Sequence, residues 1–119
     1  MKKKVYEEIE NAEESMIRQL MRVELCKSEF EHEERFSSAH EAESVIREEL
    51  EESEEEMQKC RKSFERLHAS LRDGDDCGVT LFAEELQQKA IRCAAELLQL
   101  GAMCQKGWSK KWENRRSEK

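Results

Sequence analysis

Two Glu-x-x-His steps, Glu29-Phe30-Glu31-His32 and Glu65-Arg66-Leu67-His68, offer the metal-ligand spacing in this chain. Turned inward on neighbouring helices, such a step supplies carboxylate and imidazole ligands to di-iron centres in helical bundles. Glu65 and His68, however, flank Phe64 and Leu67 on the outer edge of an apolar stripe. The antiparallel register argued below sets residue 65 opposite residue 7, not 29, leaving the two steps about 33 Å apart at 1.5 Å of rise per residue. Chance also produces such steps in a chain this rich in glutamate. No metal ligands and no cofactor are expected.

The five cysteines, Cys26, Cys60, Cys77, Cys93 and Cys104, form no C-x-x-C pair and are odd in number. Their spacing matches neither a zinc site nor a disulfide framework, and they are read as reduced thiols of an intracellular protein, cytoplasmic or nuclear. Cys60 and Cys93 approach each other in the helical register below and are expected to pack there as small buried hydrophobes. Cys77 is expected at an exposed turn tip. Three aspartates surround it, the opposite of the electropositive setting a nucleophilic thiolate needs. His40 has Ser37 and Ser38 close by, but neither an orienting acid nor an oxyanion pocket accompanies them. The expectation is a non-enzymatic protein.

One further segment has binding chemistry, the tail Lys106-Gly107-Trp108-Ser109-Lys110-Lys111-Trp112-Glu113-Asn114-Arg115-Arg116. Bases interleaved with aromatics suit a polyanion or an acidic protein surface such as a microtubule, with Lys110, Lys111, Arg115 and Arg116 as the contacts. The simpler expectation is that Trp108 and Trp112, one turn apart, pack inside the fold while the bases face glutamates. A net charge of −7 argues against duplex binding by the whole domain, which needs a net basic face.

These residues must be carried by helices. Charged residues make up 41% of the chain and apolar residues 37%; there is no proline, and the glycines are Gly74, Gly78, Gly101 and Gly107. Seventy-three opening residues therefore contain neither helix breaker. Disorder is rejected because apolar residues recur at helical spacing almost throughout. Met1-Lys2-Lys3-Lys4-Val5-Tyr6 is not followed by the apolar core of a signal peptide, and no apolar run is long enough to span a membrane.

The pattern predicts an all-α, antiparallel coiled-coil hairpin: a long first helix over about 2–72, a turn at 73–78, and a second helix over about 79–116. Asp73, Gly74, Asp75, Asp76 and Gly78 supply the turn chemistry, with Thr80 or Asp76 as caps. Leu50, Met57, Phe64 and Leu71 mark one heptad track and Ile46, Ser53, Cys60 and Leu67 the other. With Leu86, Leu97 and Leu100 of the second helix they form the expected hairpin seam. Facing residues sum to about 151, which sets Trp108 over Ala42, Gly107 near Ile46 and Gly101 near Leu50. That register also lays residues 106–119, net +4, along part of residues 31–56, which hold twelve glutamates and a net −10.

Upstream, Val5, Ile9, Ala12, Met16, Leu20, Val23, Cys26 and Phe30 run in a frame offset by one position. With Ile17, Met21 and Leu25 they cover more than one stripe, so one hairpin cannot hide them. Met16, Leu20, Val23 and Phe30 are the expected assembly residues. Pairing antiparallel with a second copy, at facing sums of about 72, sets Glu10 against Lys62, Glu13 against Lys59, Glu7 and Glu8 near Arg66, and Arg18 and Arg22 near the 49–54 glutamates.

A turn near 36–38 is the alternative, folding the same contacts into an intrachain three-helix bundle; Ser38 with Glu41 matches a capping box. The continuous helix is preferred because helices rarely join without Gly, Pro, Asn or Asp. The chain is thus one helical domain, with 1–34 for assembly, 35–116 as the hairpin and 106–119 as a basic tail. Its expected role is a structural or adaptor coiled coil, dimeric or part of a larger helical complex. A microtubule- or nucleic-acid-binding module is the alternative.

Overall fold

The computed structural model of the chain describes residues 1–31 and 35–108. These residues form α1 (Lys2–Glu31), α2 (Ala39–Arg72) and α3 (Asp76–Gly107), with no strand among them. The all-helical expectation holds, and the three-helix alternative fits. The single helix expected over 2–72 does not form, because α1 ends at Glu31 and α2 begins at Ala39.

Local polar chemistry explains how the break occurs without glycine or proline. Ser38 caps α2, its Oγ accepting the Glu41 N–H at 3.1 Å. The Glu41 carboxylate turns back to accept the Ser37 N–H at 3.3 Å and the Ser37 hydroxyl. Serines compete in this way for the hydrogen bonds a continuous helix would use. Phe36, between the helices, is 5% exposed, so apolar burial fixes the same chain reversal.

The second turn is shorter than expected. Gly74 takes φ 71°, and the Asp75 N–H reaches the Ser70 carbonyl at 2.9 Å while the Gly74 N–H reaches that of Leu71 at 3.2 Å. This is the Schellman closure of a helix C-terminus. The Asp75 carboxylate then accepts the Gly78 N–H at 3.0 Å, so α3 starts at Asp76, not at 79. Thr80, expected as a cap, donates its hydroxyl to the Asp76 carbonyl within the helix at 3.3 Å. Gly74→Ala should cost about 1 kcal/mol through left-handed backbone strain, and Asp75→Ala about 1 kcal/mol through loss of the cap. Urea midpoints at constant slope check both.

The chain divides into two compact units, Met1–Ile46 with Gly101–Lys119, and Arg47–Leu100. In the first unit, Phe36, Ala42, Ala102 and Met103 form the core, joined by Leu25, Val45 and Ile46. A methyl group added to Gly107 would lie 3.4 Å from Ala42 Cβ and 3.5 Å from Ile46 Cδ1, so the start of α2 and the end of α3 are in close contact. Gly107 thus faces Ala42, the place expected for Trp108, which is exposed. Lys106, counted with the basic tail from sequence, is buried at 5% exposure. Its Nζ donates to Ser28 Oγ at 3.1 Å and lies 4.8 Å from the centre of the Phe36 ring.

In the second unit, α3 returns along α2. Arg66 reaches Glu85 at 3.4 Å, a pair whose numbers match the expected facing sum. The buried line of α2 runs Ser53, Glu56, Cys60, Ser63 and Ser70, with Cys93 opposite on α3. Ser63, at 1% exposure, shows why: small side chains let helices approach more closely than leucine or phenylalanine would. Ser53 satisfies its hydroxyl locally by donating to the Glu49 carbonyl at 2.9 Å.

Candidate functional site

The close seam of small residues has a consequence for the apolar heptad beside it. Leu50, Met57, Phe64 and Leu71, expected inside the hairpin, are all exposed, Met57 at 63%. Leu97 is exposed as well, whereas Ile46, Leu67, Leu86 and Leu100 are half-buried. Met57 and Phe64, with Cys60 and Leu86, line an open groove of about 700 Å³ rimmed by Glu54, Gln58 and Arg61.

Within the first unit, α1 has no buried residue. Met21, Leu25 and Ser28 form its inward face. Met21 sits over Gly101, where an added methyl would fall 2.6 Å from Met21 Cε. Leu25 packs on the core, and Ser28 Oγ lies 4.0 Å from Met103 Sδ. Ile9, Met16, Val23 and Phe30 recur every seven residues and are all exposed, as are Val5 and Leu20. At 100° per residue this stripe lies roughly 160° around the helix from the inward face.

A carboxylate cluster in the second unit went unread in the sequence. Oxygens of Glu49 and Glu52 on α2 and of Glu96 on α3 lie within 4.8 Å of one another. Among the described residues, theirs is the one grouping of three potential metal ligands. Burial, then Glu52, Glu96 and Glu48, push the Glu49 carboxyl up to about 7. Burial and then Glu52 also raise Glu96, with Arg92 opposing. Oε2 atoms of Glu49, Glu56 and Glu96 are buried without a hydrogen-bond partner. Glu56 behaves differently: a hydrogen bond from Lys59, at 2.9 Å, holds its carboxyl below the usual range against the opposing effect of burial. The signal in the sequence was Glu49 and Glu52 one turn apart near a seam; the facing sum of about 151 sets Glu96 opposite residue 55, so the register alone did not bring the three together.

The other candidates are resolved more simply. His68 stacks on Phe64 at 6.3 Å between ring centres, and no metal-ligand grouping among the described residues includes it. Cys60 and Cys93 are buried while Cys26, Cys77 and Cys104 are exposed, and no disulfide joins any two of them. Burial, then the neighbouring Cys60, pushes the Cys93 thiol up. No helix among the described residues is long and apolar enough to cross a membrane. His32 and the tail positions Lys110, Lys111, Trp112, Arg115 and Arg116 lie outside the described residues. Comparison with protein-family models, curated proteins and solved structures gave no match.

Proposed function

We propose that the chain is a non-enzymatic structural or adaptor coiled-coil protein that assembles with other helices, with copies of itself or with further helical partners. The observation that carries this reading is the seven-residue repeat Ile9, Met16, Val23 and Phe30, exposed along one side of a thirty-residue helix. An apolar heptad of this length marks a helix-pairing surface, since contiguous exposed apolar patches are uncommon on solitary chains. Phe30, at 94% exposure, is the extreme case. Sedimentation equilibrium at micromolar concentration should give a mass above that of one chain. Met16→Glu with Val23→Glu should return it to one chain with unchanged helicity. A single-chain mass for the unaltered protein, with α1 helical, removes copies of itself as the partner.

A second reading keeps the tail as a binding element for an acidic protein surface such as a microtubule, or for nucleic acid. What supports it is the basic and aromatic composition of 108–116. Charge reversal at Lys110, Lys111, Arg115 and Arg116 should then abolish co-pelleting or gel-shift while leaving helicity intact.

A further inference from the structure

We infer that the Ile9–Met16–Val23 stripe of α1 docks antiparallel onto the Leu50–Met57–Phe64 stripe of α2 in a second copy of this chain. This rests on the assembly reading above and names its partner, surface and direction. Both stripes are exposed, and both repeat at seven residues. In antiparallel alignment Ile9 meets Phe64, Met16 meets Met57 and Val23 meets Leu50, three layers with a common facing sum of about 73. The same layers could be aligned in parallel, so charge decides the direction. Parallel docking would bring Glu7, Glu8, Glu10, Glu13 and Glu14 alongside the glutamates of 48–56. Antiparallel docking brings them instead to Lys59, Arg61, Lys62 and Arg66. On the shared flank Glu13 then faces Arg61, a rim residue of the Met57–Phe64 groove, and Glu10 faces Lys62 just outside it.

The occupant is a second copy because of how α1 is used. Its inward face, Met21, Leu25 and Ser28, is already engaged with the core of its own unit. The stripe points to the opposite side of the same helix. A straight helix cannot turn both faces to one neighbour, and a copy of the chain carries the complementary stripe and the complementary charges.

Cross-linking tests this directly. Cys26, Cys77 and Cys104, all exposed, are replaced by serine, and the buried Cys60 and Cys93 are kept. Met16→Cys is introduced in one preparation and Met57→Cys in an isotope-labelled second one. Both positions are 63% exposed, so the substitutions leave the fold intact, and circular dichroism checks this. The mixture is treated with a short bismaleimide. The expected product is a cross-link between a light and a heavy chain joining positions 16 and 57. Glu13→Arg should weaken association about two- to fivefold, and adding Arg61→Glu should restore it. Association without the 16–57 link overturns this inference and leaves the assembly reading standing. A link formed only within one chain, in a variant carrying both cysteines at high dilution, overturns the second copy as occupant. A single-chain mass at all concentrations overturns this inference and leaves only a different helical protein as the partner in the assembly reading.

Discussion

Phe36→Ala is expected to destabilise the first unit by about 3–5 kcal/mol, the range for removing a buried aromatic from a core. Phe36 is 5% exposed and is the one aromatic of a small cluster otherwise built from Ala42, Ala102 and Met103. Few apolar groups are present to collapse into the space it leaves. Two further losses follow. Lys106 Nζ loses the ring 4.8 Å away that helps keep a buried ammonium tolerable, leaving Ser28 Oγ as its hydrogen-bond partner among the described residues. The chain reversal between α1 and α2 also loses its apolar anchor, while the Ser37, Ser38 and Glu41 hydrogen bonds remain. Phe36→Leu separates these effects, because it preserves most of the burial and removes the ring face, at a cost of about 1–2 kcal/mol. Hydrogen exchange is the appropriate readout. Protection should fall first at 21–31, 39–46 and 101–107. A loss under 1 kcal/mol for Phe36→Ala would show that Phe36 does not anchor the reversal.

The same reversal marks where sequence and structure part. Helix breakers located the turn at Gly74, because glycine at positive φ followed by aspartate is strong local chemistry. The reversal at 35–38 has no such residue. Its determinants, a serine cap and a phenylalanine whose burial depends on Ala102 and Met103 far along the chain, are partly nonlocal. The capping-box match at Ser38 was legible; its precedence over helix continuation was not. The hairpin register was legible too, as Arg66 with Glu85 and Gly107 with Ile46 show. Which heptad track faces α3 was not. Of the two tracks that apolar periodicity pointed to, Ile46, Ser53, Cys60 and Leu67 are buried or half-buried, whereas Leu50, Met57, Phe64 and Leu71 are exposed, their place taken by Glu56, Ser63 and Ser70, one position earlier. Burial preference of side chains and closeness of helix approach favour different faces of α2 here, and small residues won. The carboxylate cluster was missed for the same reason, since a seam assumed to be apolar leaves no place for Glu49.

That cluster sets the second large expectation: the second unit should lose stability as pH rises from about 4.5 to about 7. The ordinary value for Glu49 is 4.5 and its folded value is about 7. Between those limits the folded state holds a proton that the unfolded chain has released, so stability falls with rising pH and the loss is complete above about 7. Glu96 is shifted in the same direction. Groups facing the cluster are Glu48 and Glu52 from α2, and Glu96 with Arg92 from α3; the guanidinium of Arg92 offsets only part of the repulsion. A proton between two carboxyls also gives a partner to Oε2 atoms of Glu49 and Glu96 that otherwise have none. Because Glu49 is partly open to solvent, screening reduces the effect to about 1 kcal/mol. Glu56 has the opposite sign: its carboxyl lies below the ordinary range, so its contribution is present above pH 4.5 and lost on acidification below it. The two are therefore separable by pH window. Glu49→Gln should raise the urea midpoint at pH 8, leave it unchanged near pH 4.5, and flatten the slope between. Equal effects at both pH values would mean that the three carboxyls do not share a proton and that α2 and α3 meet there by packing alone.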